Sequence, residues 1–459
     1  MHARAATRPP SSWSEPTRAD ARTTCVRRRI AFGLAAVVGA LAVVLGGGWR
    51  ESTATANPVA REDLAQLVAQ FSAGSSREVV QGLEITVAAQ PDDARSLAFL
   101  GLGYQQLYRE TADASWLTRA DEALTRAVAA RRDEPVAVSG LAQLAVTQHR
   151  FQTAIPLARE ALALDPENAV ARGALGDALI GTGRYPAAFR TYDRLAGMGP
   201  SVAAYARIAT ARQLLGRPAA ALDAMELALE AGSAIPEQEA WALTRYGTLL
   251  VAANRLDDAE DAFRRALRLS PGYVHARAGL ARVAAARGRF TEAAQELRRV
   301  VDRLPLPEYA ILLGDALARA DRPKAARRSY SVVSALERVL AANGVRTELQ
   351  TALFDIDHGI GTQAALARAR AAYAAAPGVA AADAVAWGLT RTGRCAEALG
   401  WSRRALALGT KDGLFLFHRG MVERCVHGPD AARPWFARAL AANPTFSLRW
   451  VPLAERLAS

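Results

Sequence analysis

Two kinds of apolar pattern divide the chain. Ile30 to Trp49 (IAFGLAAVVGALAVVLGGGW) is a run of twenty residues without a charge. At about 1.5 Å per residue, a helix of that length matches a hydrocarbon core of about 30 Å. From Arg61 onward the apolar residues, mostly alanine, fall into short stretches punctuated by one recurring shape: a turn residue, then Arg, three variable positions and Ala. The shape occurs as HRFQTA (149–154), GRYPAA (183–188), GRPAAA (216–221), NRLDDA (254–259), GRFTEA (288–293), DRPKAA (321–326) and GRCAEA (393–398). The starts lie 34, 33, 38, 34 and 33 residues apart, then 72, which is two periods and a small insertion. A period of that size predicts paired helices stacked as an array rather than separate domains.

Each position of the period has a physical reading. Leu175-Gly176, Tyr246-Gly247 and Leu313-Gly314 fall in mid-helix, where a small residue lets a second helix approach. Gly183 or Asn254 supplies the left-handed turn that ends the first helix. The alanine five residues after the turn sits where the two helices cross, and Tyr192, Phe263 and Tyr330 fill the space between pairs. Proline then stops the second helix, because the residue before it is pushed out of the α region. This arrangement resembles the tetratricopeptide repeat. It implies an all-α fold, a right-handed superhelix (α-solenoid) of about ten helix pairs over residues 61–445, in which each pair needs neighbours to bury its face.

The units expected are a degenerate start (61–90), a longer one with an inserted loop (91–133) and regular repeats from Pro135 to about Asp302. A unit from Pro307 follows, with an extended second helix reaching Ala341. A degraded unit (347–377) and two final ones (379–410 and 413–444) complete the series. Residues 446–459, containing FSLRWVPLAERL, read as a C-terminal cap. The segments LGLGYQQLYRETADASWLTRADEAL (100–124), PLPEYAILLGDAL (305–317), LFDIDHG (353–359), ADAVAWGLTRTGRCAEAL (382–399), LGTKDGLFLFHRGM (408–421) and NPTFS (443–447) go beyond the generic repeat. Through them the chain resembles a family of bacterial exported tetratricopeptide proteins. That resemblance implies fold and export and carries no chemistry.

The apolar run sets the expected compartment. Arg27-Arg28-Arg29 precedes it, whereas Arg50-Glu51 after it cancels, so the positive-inside rule leaves residues 1–29 in the cytoplasm as a disordered tail. Residues 30–49 are then a single transmembrane helix, 50–60 a linker, and the solenoid lies on the extracytoplasmic side of the cell membrane. The competing reading is a signal peptide cleaved after Ala56, which would make the protein secreted.

Composition adds exclusions. Hydrophobic residues make up 51% of the chain but aromatics only 7%, which disfavours a sandwich or barrel. The net charge is +12, yet residues 1–29 carry seven arginines against Glu15 and Asp20. The remaining excess is interleaved with acids and forms no block of five like charges, so a nucleic-acid partner is not expected.

No phosphate loop, nucleophile elbow or zinc-protease motif appears, so neither enzyme activity nor a cofactor is expected. Asp355, Asp357 and His358 form one tight cluster, open to a metal or general-base reading, but an irregular loop held by Asp side chains is favoured. His418, Cys425 and His427 with Cys395 suggest a two-Cys, two-His set, at a spacing unlike known zinc motifs; no metal site is assigned. Cys395 starts one helix and Cys425 lies near the end of the next, antiparallel one. An oxidising compartment therefore favours a disulfide between them, with two buried thiols as the alternative.

The groove positions inferred along successive first helices are Ser139, Gly173, Ala206, Thr244 and Ala278, with Gln143, Asp177, Thr210, Thr248 and Arg282 one turn on. Toward the C-terminus the same positions become Asp383, Trp387, Phe417 and Met421, followed by Arg424. Trp and Arg recur at binding hot spots, so these five residues are the candidate partner site. The alternative is that Trp387 and Phe417 pack against the cap beside Phe446 and Trp450. The expected function is a non-catalytic, membrane-anchored scaffold binding an envelope protein or peptide in its concave groove. A ligand- or metal-carrying accessory of a membrane transporter is the second reading.

Overall fold

The computed structural model describes residues 76–233 and 235–459, and every regular element in them is an α-helix. Helix α1 spans Ser76–Ala89. Pairs follow: α2 Ala94–Thr111 with α3 Ser115–Ala130, α4 Pro135–Thr147 with α5 Phe151–Leu164, and α6 Ala169–Gly181 with α7 Tyr185–Gly197. Next come α8 Val202–Leu214 with α9 Pro218–Ala231, α10 Pro236–Ala252 with α11 Leu256–Leu269, and α12 Val274–Ala286 with α13 Phe290–Arg303. In the seventh pair α14 Pro307–Arg319 faces a second helix split into α15 Pro323–Ser331 and α16 Val333–Ala342. The last pairs are α17 Glu348–His358 with α18 Thr362–Ala375, α19 Val379–Arg391 with α20 Cys395–Ala405, and α21 Gly413–His427 with α22 Pro429–Ala442. Helix α23, Val451–Ala458, closes the array. The tail, apolar run and linker expected over residues 1–60 lie outside the described residues. Among those described, no helix is long and apolar enough to cross a membrane.

Local chemistry accounts for the helix ends. Asp93, Asn168, Ser201 and Asp412 each accept hydrogen bonds from amides in the first turns of α2, α6, α8 and α21. Such capping satisfies donors that the helix leaves orphaned. The turns between paired helices place Gly183, Gly216 and Asn254 at φ 70°, 69° and 57°. The motif alanines are the crossing points: Ala154, Ala188, Ala221, Ala259, Ala293 and Ala398 are fully buried. Large rings sit beside the mid-helix glycines. A Cβ at Gly176 would stand 2.3 Å from the Tyr192 ring, and one at Gly279 2.3 Å from Phe263.

Two expectations need correction. The second helix expected to run unbroken to Ala341 breaks at Val332. There the Ser331 hydroxyl donates to the Arg328 carbonyl 2.8 Å away, and two β-branched valines follow, a combination that competes with helix continuation. Asp355, Asp357 and His358 are not in an irregular loop but in the last turns of α17. Their side chains bond outward: Asp355 pairs with Arg368, and Asp357 takes bonds from two tryptophans.

The array winds until it touches itself. The Arg346 amide donates to the Gln148 carbonyl at 3.0 Å, and Gln148 Nε2 donates to the Asn343 carbonyl at 3.1 Å. His149 Nδ1 lies 2.8 Å from the Arg346 carbonyl, and the Val379 amide donates to the Tyr185 hydroxyl at 2.7 Å. The side-chain bonds span 195, 197 and 194 residues. The same offset brings Gly183 against Pro377 and Gly216 against Gly409, and Ala112 joins the apolar cluster that contains Leu304 and Tyr309. A constant offset between turn loops and distant inter-repeat loops is what a superhelix gives when one turn stacks directly on the next. The contact line is a seam, and it encloses the concave surface on which the first helices of the pairs face inward.

Candidate functional site

The C-terminal candidate patch belongs to the core. Trp387 and Phe417 are both 0% exposed, and Asp383 is buried. The cap covers them: the Trp450 ring stacks on Phe417 with centroids 5.5 Å apart and meets Trp387 edge-on at 5.5 Å. Trp387 Nε1 and Trp450 Nε1 both donate to Asp357 Oδ1, at 2.8 and 2.9 Å. Asp383 Oδ2 lies 2.8 Å from His418 Nδ1, and Met421 packs half-buried against the same cluster. Only Arg424 faces solvent. The reading of these residues as a partner surface therefore gives way to a capped terminal repeat, which buries its apolar face to stay soluble.

Cys395 and Cys425 are joined in a disulfide with Cα atoms 5.9 Å apart. The bond pins α20 to α21 and removes both thiolates from the two-Cys, two-His set. His418 is engaged by Asp383, and His427 Nδ1 lies 2.6 Å from Glu423 Oε2. Among the described residues, no group of three or more His, Cys, Asp and Glu is placed to hold a metal ion.

An open concave site lies instead in the first half of the array. A cavity of about 280 Å³ is built by successive first helices: Leu102, Gln105 and Arg109 from α2, Gln143 from α4, Val170 from α6, Val202 and Arg207 from α8, and Glu237, Gln238 and Trp241 from α10. Trp241 is 37% exposed at this wall. Within a single turn α2 also reaches across the concave face to α10: Gln106 Nε2 donates to Glu237 Oε2 at 3.1 Å, 131 residues away.

Electrostatics inside the cavity are balanced. Arg207 forks onto Asp177, with Nε 2.9 Å from Oδ1 and Nη2 2.6 Å from Oδ2, and Nη1 donates to the Ala203 carbonyl at 3.1 Å. Gly173 leaves the room for that guanidinium, because a Cβ there would lie 2.9 Å from Arg207 Cζ. Burial opposes the Arg207 charge, and the Asp177 carboxylate outweighs it and raises the pKa. Burial pushes the Glu237 carboxyl up, against the pull of Arg109. Further along the inner surface Arg282 has Glu308 as its opposite charge.

Of the groove positions inferred from sequence, Gln143 lines the cavity, while Ala206 is buried in the core. Sequence reasoning missed Gln105, Arg109, Arg207, Glu237 and Trp241. A signal for three of them was present: Gln105, Ser139, Gly173, Arg207 and Trp241 follow one another at intervals of 34.

Two family models described as tetratricopeptide repeat match the chain, one over residues 145–212 and 250–316 and the other over 201–271. No curated protein matches it. Among solved structures, the crystal structure of YrrB, described as a TPR protein with an unusual peptide-binding site, is similar at 21% identity and a TM-score of 0.27. The match covers 40% of this chain and 92% of that one. Residues 145–316 are thus similar to tetratricopeptide repeats, and helix pairs of the same build continue on either side.

Proposed function

We propose that the protein is a non-catalytic scaffold that holds a protein or peptide partner against its concave surface, in the cavity between α2 and α10. The observation that carries this reading is Trp241, a large ring left open to solvent on a concave wall, flanked by directional polar groups. Buried aromatic cores need no partner, whereas an indole on a groove wall gains most of its remaining burial from one. Stacked helix pairs present a rigid surface of this kind and no flexible lid. The sequence adds the setting: an anchor at residues 30–49 behind three arginines, with the repeats outside the cytoplasm and an envelope protein as partner.

Photocrosslinking in intact cells tests the reading. Benzophenone-bearing phenylalanine at position 241 should give one discrete adduct, and the same group at Leu269, an exposed residue ending a second helix, should give none. Equal labelling from both positions, or none from position 241, would refute the site. Protease added to spheroplasts should digest the repeats; their full protection would refute the topology.

A further inference from the structure

We infer that the outer face of α15 and α16 docks on a bilayer surface that carries anionic phospholipid. The inference leaves the concave site aside and borrows from the scaffold reading only that residues 30–49 hold the chain at a membrane. Charge is distributed unevenly along the array. Residues 76–318 carry 28 Arg and Lys against 29 Asp and Glu, whereas residues 319–459 carry 20 against 11. Elsewhere on the outer helices, arginines are neutralised about a turn away: Arg264 by Glu260, Arg289 by Glu292, Arg299 by Glu296 and Arg394 by Glu397. On α15 and α16 they are not. Arg322, Lys324, Arg327, Arg328 and Arg338 are all exposed, and none makes a side-chain hydrogen bond or ion pair among the described residues. The acids of the same stretch are Asp321, back at the turn, and Glu337, which is buried.

Apolar side chains stand among these charges. Val332 and Val339 are 41% and 57% exposed. The break at Val332 keeps φ −86° and ψ −15°, within the helical region, so the two helices stay nearly in phase. Lys324, Arg328, Val332, Ala335, Val339 and Ala342 therefore succeed one another at steps of three or four along one exposed face. A nucleic-acid backbone rewards the basic groups and leaves the valines in water. A lipid surface takes both, with phosphates against the guanidinium groups and the interfacial acyl region against the valines. The winding also brings this face towards the start of the array. Thr118 of α3 donates to Asn343 Oδ1 at 2.9 Å, and Leu340 joins the apolar cluster built by α1 to α4. Residues 50–75, between the expected anchor and α1, extend to at most about 90 Å. The basic face thus belongs to the tethered end of the array.

The test uses the full chain with Cys25→Ser and an environment-sensitive fluorophore on Val339→Cys. It is reconstituted with nanodiscs of phosphatidylcholine, alone or with about one-third phosphatidylglycerol. Cys395 and Cys425 are bonded and take no label. Leu164→Cys, at the exposed end of α5, carries the control label. Co-elution with phosphatidylcholine discs reads the anchor and quenching by nitroxide lipid reads the docking, so the two fail separately. Position 339 should be quenched on anionic discs and not on neutral ones. That quenching should vanish in about 0.5 M salt, where the screening length falls to about 4 Å. Position 164 should stay unquenched throughout. Surface attraction of about fivefold per basic side chain predicts that Arg327→Gln with Arg328→Gln and Arg338→Gln lowers the docked-to-free ratio roughly a hundredfold. Equal quenching of positions 339 and 164, or of position 339 on both kinds of disc, would overturn the inference. So would an unchanged ratio in the triple variant. Absence of quenching on anionic discs would also overturn it, and a shift of the position 339 emission by polyglutamate in solution would then point to an acidic protein. A chain that leaves the neutral discs yet docks on anionic ones through these arginines would remove the anchor and keep this inference.

Discussion

The seam between superhelical turns is open to a controlled perturbation, because two glycines share a backbone conformation and differ in surroundings. Gly216 and Gly288 both end first helices, at φ 69° and 77°. Alanine in that left-handed region costs about 1–2 kcal/mol at either site. At Gly288 the new Cβ would meet nothing within 4 Å, so the conformational cost is all that Gly288→Ala incurs. At Gly216 the Cβ would lie 2.1 Å from the Gly409 carbonyl oxygen, 193 residues away and on the facing turn. That neighbour is backbone, so one loop must move by about 1 Å. Overpacking of this kind costs roughly 1–3 kcal/mol. Gly216→Ala should therefore destabilise the chain by roughly 1–3 kcal/mol more than Gly288→Ala. Urea denaturation followed by circular dichroism, with the disulfide intact, compares the midpoints. Equal midpoints would mean that the Gly409 loop does not press on Gly216, and the stacked-turn description would fail.

Three further outcomes follow from the C-terminal core. Trp387→Ala removes a fully buried ring and should cost roughly 3–5 kcal/mol in the same denaturation assay; a loss under 1 kcal/mol would return Trp387 to the surface. Reducing the Cys395–Cys425 bond, which closes a separation of 30 residues, should lower stability by roughly 3–4 kcal/mol on the chain-entropy account, and an unchanged midpoint in reductant would contradict it. Burial alone would lower the His418 pKa, but the Asp383 carboxylate, with Asp357 and Asp412 nearby, outweighs it and raises the value above 6.5. A raised folded pKa gives stability that is complete below about pH 6.5 and is lost as pH climbs through the folded value. Midpoints of the native chain should thus fall above pH 6.5 more steeply than those of His418→Gln, and parallel profiles would rule the pair out as a source.

What could be read in the sequence was local. The turn motif, the crossing alanine and the stopping proline act within a few residues, so the pairs from Pro135 to Arg303 and the ring–glycine contacts of Tyr192 and Phe263 follow directly. What could not be read depends on distance along the chain. Gln148 with Asn343 and Tyr185 with Val379 meet only because the winding closes, and no periodicity of 34 encodes where it closes. The site was misplaced for the same reason. Trp387 has the composition of a hot spot, and only the position of Trp450 in the cap makes it core. Trp241 was passed over because the spacing of 38 between Gly216 and Asn254 shifts the register at α10. Asp357 looked like part of a loop because its partners, Trp387 and Trp450, lie 30 and 93 residues ahead.

Touching turns enclose the concave surface, and two backbone amides report directly on that contact. Arg346 lies in a loop and Val379 is the first residue of α19, so neither has a partner within its own helix. Their donors go across the seam, to the Gln148 carbonyl and the Tyr185 hydroxyl. Amide hydrogen exchange of the full chain should find both protected by roughly a hundredfold or more relative to Thr362, the first residue of α18. Exchange of Arg346 and Val379 as fast as Thr362 would mean that the turns do not touch and that the cavity is an open groove.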